Sequence, residues 1–387
     1  MSEDLMSCRH RRPSSPSSVA PPDDDDLLWE ILLRLFPLPS SLIRASAVCK
    51  RWRRLVSDPG FLRRFRARHR TPPLLGFFSV SGGFSFTPTL DKPDRIPAAR
   101  LTLPAHSNDR CCFLGCRHGL ALHLNRTRQV AVVWNPITGN RRCVPFPPGT
   151  GFVLNAAVLR PTGNDDGQLI PFKLVLLCNN YDLGPTFARI YGSEPDKWGN
   201  VIAAPAPWIP TTRPSILVGN TLCWWIGEGD ILGLDLETRS LALINKPAGL
   251  TSKCAFQILR TEDNGLGLAV LSGLCIQLWK ANSDGAVTWV LQKTIELDKL
   301  FSPEPLVGRV GTTILGFAED ANAIFLLWDA GVFMIELESL KFRKVSESTR
   351  GFPCYPYASF FTAGSQVGEE EAVFGYFVPA DQGGGQE

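Results

Sequence analysis

The sequence predicts an α+β multidomain chain: a small all-α unit at the N-terminus, then an all-β propeller of six blades, with seven as the alternative count. Three observations carry this expectation. Residues 23–70 space their apolar side chains at helical intervals. From residue 72 onward, short apolar runs alternate with turn residues. Within that region a strand–turn–strand pattern recurs at intervals of about 50 residues.

Composition supports this division. The 387 residues include 34 Gly, 31 Pro, 23 Phe and 10 Trp, a balance suited to many short strands and tight turns. A long helical bundle or coiled coil is not expected. Forty basic and 37 acidic residues leave a net charge of +3, so no global charge draws the chain to nucleic acid or a membrane. The eleven cysteines are odd in number and irregularly spaced, unlike a secreted disulfide scaffold. A reducing compartment, cytoplasm and/or nucleus, is expected. No apolar run is long enough for a transmembrane helix, so no membrane partner is expected. Residues 1–22 are rich in Ser and Pro and lack the apolar stretch of a signal peptide; they are expected to be a disordered tail, and residues 381–387 a second, flexible one.

The helical unit opens on Asp23-Asp24-Asp25-Asp26, which suits the positive end of a helix dipole. Leu28, Ile31, Leu32 and Leu35 follow i, i+3, i+4, i+7 spacing and form one apolar face. Pro37 and Pro39 are expected to stop this helix, and Ser40 or Ser41 to cap a second over 42–50. A third runs from Arg51 to Ser57 and a basic fourth from Phe61 to His69. Thr71-Pro72-Pro73 marks the boundary to the strand region. Fewer than fifty residues make a poor independent core, so the apolar surplus calls for a partner surface or for packing on the rest of the chain.

The residues of this unit resemble the F-box. Leu27-Leu28-Trp29-Glu30-Ile31-Leu32, Arg34-Leu35, Pro37 and Val48-Cys49-Lys50-Arg51-Trp52 match the family pattern in order and spacing, and Ser57-Asp58-Pro59 and Phe61 match its tail. The aspartate run replaces the family's opening Leu-Pro, and an extra Phe36 stands between Leu35 and Pro37. The resemblance implies docking on a Skp-family adaptor, and through it on the cullin and RING subunits of a ubiquitin ligase. Carried over residue by residue, it assigns the contacts to Leu28, Ile31, Leu32, Pro37, Leu42, Val48, Cys49 and Trp52, some of which also serve the unit's own core. The basic cluster Arg51, Arg53, Arg54, Arg63, Arg64, Arg66, Arg68 and Arg70 has no base-reading motif beside it and is expected to be a solvated helix face rather than a nucleic-acid site.

Residues 74–380 are expected to form the propeller. Trp134-Asn135-Pro136-Ile137-Thr138-Gly139, Leu234-Asp235-Leu236-Glu237-Thr238 and Ile335-Glu336-Leu337-Glu338-Ser339 each lead from one strand to the next. Looser copies start at Tyr191 and Trp279, and a sixth at Phe86. Successive starts lie 48, 57, 43, 45 and 56 residues apart, room for four short strands per blade. Phe86 lacks a full set of strands before it, so C-terminal residues 357–362 or 372–378 are expected to close the ring and remove an exposed edge. The order F-box then propeller, with Gly115-Cys116-Arg117-His118-Gly119-Leu120 and Leu315-Gly316-Phe317-Ala318-Glu319-Asp320, resembles a cereal group of plant F-box proteins with an F-box-associated C-terminal region. That likeness implies a module that recognises a protein substrate without naming it.

No nucleophile, metalloprotease, P-loop or dinucleotide motif occurs, and no cofactor is expected. Cys111, Cys112, Cys116 and His118 lie close enough to suggest zinc, but adjacent strand residues face opposite ways and no second ligand pair follows, so structural thiols are expected. Trp224 and Trp225 must also face opposite ways, one into the core and the other available for the channel mouth. Aspartates 182, 230, 263 and 320 are scattered turn residues. The function that the F-box resemblance implies is a non-catalytic substrate adaptor of an SCF-type ligase. The alternative is a propeller lectin or enzyme whose F-box governs its own turnover.

Overall fold

The computed structural model describes residues 25–80, 83–102, 109–160, 171–179, 185–203, 213–227, 230–250, 254–282, 287–301, 311–328 and 331–361. Both expected tails lie outside them.

Four short helices come first: α1 (Asp25–Leu33), α2 (Pro39–Val48), α3 (Lys50–Val56) and α4 (Pro59–His69). Pro39 opens α2 rather than ending α1, because proline's missing N–H costs nothing in a first turn. Leu38 precedes it without a side-chain cap, so the expected serine cap is not used. Cys49 is extended and separates α2 from α3, its Sγ accepting from the Trp52 N–H. Asp58 caps α4 by accepting from the Phe61 N–H at 2.9 Å, which starts that helix two residues before Phe61. The four helices close over Leu32, Leu33, Leu42, Ala45, Leu55, Val56, Phe61 and Phe65.

Six sheets follow, arranged as six blades. Blade 1 takes β1 (Leu74–Val80) and β2 (Phe84–Pro88) from the start of the ring. Blade 2 holds β3 (Cys111–Arg117), β4 (Leu120–Asn125), β5 (Val130–Trp134) and β6 (Arg141–Pro145). Blade 3 holds β7 (Phe152–Leu159), β8 (Lys173–Asn179) and β9 (Thr186–Gly192), with a broken outer strand of β10 (Lys197–Trp198) and β11 (Ile202–Ala203). Blade 4 holds β12 (Ile216–Val218), β13 (Thr221–Ile226), β14 (Asp230–Asp235) and β15 (Ser240–Ile244). Blade 5 holds β16 (Ala255–Arg260), β17 (Leu266–Ser272), β18 (Cys275–Asn282) and β19 (Thr288–Glu296). Blade 6 holds β20 (Thr313–Ala318), β21 (Ala323–Trp328), β22 (Gly331–Glu336) and β23 (Phe342–Ser346). The last strand, β24 (Cys354–Ala358), pairs antiparallel with β1 and completes blade 1 from the inside.

Ring closure therefore uses a segment that starts three residues before the expected 357–362; the other candidate, 372–378, lies outside the described residues. Cys354, Tyr355 and Tyr357 supply the buried side chains that fix the pairing. All six repeat starts fall on the third strand of their blade: Phe86, Trp134, Tyr191, Leu234, Trp279 and Ile335 lie on β2, β5, β9, β14, β18 and β22. The turn after that strand explains two of the clearest copies. Asn135 Oδ1 accepts from the N–H groups of Ile137 and Thr138, and Asp235 Oδ1 does the same for Glu237 and Thr238. Four residues beyond each turn start the backbone is left-handed, at Gly139, Arg239 and Leu340. The apolar side chains pack blade on blade: one cluster joins blades 2 and 3, another 3 and 4, and the largest spans 4, 5 and 6. Both faces of each sheet are thus covered, which accounts for uninterrupted apolar runs such as Ala323–Trp328.

Candidate functional site

Two regions combine unusual exposure or charge with a defined shape. The first is the outer face of α1 and α2. Five large apolar side chains stand in solvent there: Leu27, Ile31 (50 % exposed), Phe36 (77 %), Ile43 and Val48 (61 %). Among the residues assigned from sequence, Ile31, Val48 and Cys49 lie on the exposed face, and Leu28, Pro37 and Trp52 are half-buried at its edge. Leu32 (0 %) and Leu42 (1 %) instead fill the helical core, since their positions on α1 and α2 point toward α4 and α3. Leu27, Phe36 and Ile43 were not assigned. Phe36 carried a signal, being a large apolar side chain in a two-proline turn with no strand or helix face to bury it. Five exposed large apolar side chains between residues 27 and 48 are an unusual concentration for so small a unit.

The neighbouring arginines form a solvated face. Arg51 Nε lies 2.8 Å and Arg54 Nη2 3.7 Å from the Asp25 carboxylate, and Arg64 lies 3.2 Å from Glu30 and over the Trp29 ring. Contacts among the described residues link the helical unit to the rest of the chain. Phe360 packs edge-on against Phe65, and the Ser40 N–H donates to Asp94 Oδ1 at 2.8 Å.

The second region is one mouth of the ring axis, a shallow depression between the ends of β3, β16, β20 and β24 and the start of β12. Arg117, at the end of β3, crosses to Glu319 just beyond β20 at 2.6 Å, and both side chains are nearly buried at 8 % and 14 %. The same guanidinium donates to the Ser215 carbonyl at 2.8 Å. Arg260, at the end of β16, donates to the Glu319 carbonyl at 2.6 Å and lies 3.7 Å from Asp320. Blades 2, 4, 5 and 6 are thus tied across the axis by charge. His118 Nδ1 accepts from the Arg160 N–H at 3.2 Å, adding blade 3. Burial, with Arg117 beside it, lowers His118 to about 4. Burial, with Arg141 nearby, does the same to His123. Burial next to Glu319 raises the Asp320 carboxyl.

These shifts give the fold an acid sensitivity. Both histidines are neutral in the folded ring, while the unfolded chain binds protons as the pH falls below about 6.5. Stability is therefore full above that pH and declines as it falls toward 4, by about 3 kcal/mol at most for each histidine. Asp320 has the opposite sign, so the check is a difference: thermal melting from pH 7 to 4.5 should drop less in a His118→Gln/His123→Leu variant than in the parent.

Comparison with known proteins follows the two units of the chain. Residues 25–68 match the F-box-like family. Residues 112–356, well over half the chain, match the family described as F-box protein AT5G49610-like, beta-propeller. The chain belongs to that F-box propeller family. Three curated relatives, all from Arabidopsis thaliana, are similar to it. F-box protein ETP2 is 25 % identical over 335 residues, covering 78 % of this chain and 81 % of its own length. The putative F-box protein At3g16210 is 25 % identical over 52 % of each chain. The putative F-box protein At1g55070 is 29 % identical over 31 % of this chain and 32 % of its own.

In this F-box propeller protein the remaining sequence candidates go to packing. Cys111 and Cys112 are neighbours on β3, Cys116 is held protonated by burial, and His118 is engaged by Arg160. Among the described residues no group of three or more His, Cys, Asp or Glu side chains is placed to hold a metal. Trp224 is fully buried against blade 3, while Trp225 stacks on Phe256 of blade 5 at 4.8 Å. Trp225 therefore joins two blades instead of lining a mouth. Asp230, Asp263 and Asp320 lie on three different blades, Asp263 paired with Lys280, and Asp182 lies outside the described residues.

Proposed function

We propose that this chain is the substrate-recognition subunit of an SCF-type ubiquitin ligase. Its helices dock on a Skp-family adaptor, and through that adaptor on cullin and RING subunits. Its propeller holds a protein target near the ligase and does no covalent chemistry itself; its contribution is effective concentration. It acts in the cytoplasm, the nucleus or both. The observation that carries the reading is the apolar face of Leu27, Ile31, Phe36, Ile43 and Val48, exposed on a unit that matches the F-box-like family. We assign the contact to these side chains and Cys49, with Leu28, Pro37 and Trp52 at the edge, and give Leu32 and Leu42 to the core beneath.

The test separates surface from core. Ile31→Glu/Val48→Glu places two charges in the proposed contact and leaves the helical core intact. Co-purification with a Skp adaptor should fall at least about tenfold, as expected when charge enters the centre of an apolar interface, with an unchanged thermal melt. Undiminished co-purification would overturn the assignment.

A further inference from the structure

The opposite end of the ring carries a second cleft, between blades 2 and 3. It is built from the β4–β5 turn (126–129), the link from β6 to β7 (146–152) and the residue before β3. The β4–β5 turn and the β3–β4 turn lie at opposite ends of strand β4. The latter turn, at Gly119, is where Tyr357 and Ser359 bring the chain back toward the helical unit. The cleft therefore faces away from that junction.

Its chemistry is distinctive. Phe152, the first residue of inner strand β7, is 42 % exposed, and the Arg126 guanidinium lies 4.5 Å from the centre of its ring. Arg110 and Arg126 are held side by side, the Arg126 N–H donating to the Arg110 carbonyl at 2.9 Å, and both side chains line the cleft. A third arginine, Arg128, is neutralised by Asp109 at 3.3 Å, and Asp109 also accepts from Asn125. Among the described residues no carboxylate pairs with Arg110 or Arg126. Two cations beside an exposed aromatic ring match the residue types that dominate protein-interface energetics, and they select against basic partners.

We infer that this cleft binds an acidic peptide segment of a protein partner, its carboxylates on Arg110 and Arg126 and an adjacent apolar side chain against Phe152. This rests on reading the chain as a target-recognition protein and gives the target its recognised chemistry.

The experiment probes the full chain with an immobilised library of randomised nonapeptides. Bound peptides should be enriched in Asp and Glu next to aromatic or aliphatic residues, with retention falling as salt rises. Arg110→Gln/Arg126→Gln should remove the acidic enrichment, an expected loss of about tenfold or more in signal for charge-assisted contacts. Phe152→Ala should keep the acidic preference and lose the apolar one. The inference is overturned if no acidic enrichment appears, if the arginine variant enriches the same peptides, or if a random-sequence oligonucleotide is retained in their place. The arginine variant should still co-purify with a Skp adaptor, so failure here is distinct from failure of docking.

Discussion

Removal of residues 354–387 is expected to abolish the cooperative fold that the full-length ring has. The reason is strand β24. It is the inner strand of blade 1, and its Cys354, Tyr355 and Tyr357 are buried between blades 6, 1 and 2. Tyr357 also donates from its hydroxyl to the Gly119 carbonyl. Losing large buried side chains costs roughly 2–5 kcal/mol each, and the lost strand also leaves the inner edges of β1 and its neighbours open. The sum is as large as the roughly 5–15 kcal/mol by which a domain is ordinarily stable. The shorter protein should lose its sharp melting transition and aggregate through the open edge; a retained single transition would show that the ring closes without β24.

The second large effect concerns the charge tie across the axis. Arg117→Met should destabilise the ring by roughly 3–5 kcal/mol, because Glu319 is left buried without its cation. Removing both charges, as Arg117→Met/Glu319→Leu, should recover much of that loss, since two nonpolar side chains carry no desolvation penalty. Denaturant melts of the parent, both single variants and the double variant measure the coupling directly. A double variant no more stable than Arg117→Met would mean that the pair contributes through shape alone.

Much of this architecture was legible in the chain, and the reasons are local. The helices declare themselves by apolar spacing, and the repeat by its period and by an Asx turn after the third strand of two blades, at Asn135 and Asp235. Boundaries shifted where one residue type has two uses. Pro39 serves a first helical turn as readily as it ends a helix, and Asp58 is a cap that extends α4 backward. Core and surface on α1 are not separable in the sequence for a similar reason. Leu32 and Ile31 are adjacent apolar residues, and only the position of α4 decides that one is core and the other surface. The axial tie was not legible at all, since Arg117 and Glu319 stand 202 positions apart and nothing in either neighbourhood announces the other. The cleft of Arg110, Arg126 and Phe152 joins three separate stretches of blades 2 and 3 in the same way.

The closing strand has a consequence in time as well as in space. β1 leaves the ribosome roughly 270 residues before β24, a delay of about 15–55 s at usual elongation rates. Throughout that interval the ring is incomplete, with the apolar edge of blade 1 waiting for its partner. The four helices need only residues 25–69 for their main core and can form early. The helical unit is therefore finished long before the ring, and a prematurely terminated chain would keep the first and lack the second. Completion of β24 is thus a condition of having a closed ring at all, while the helical unit stands without it.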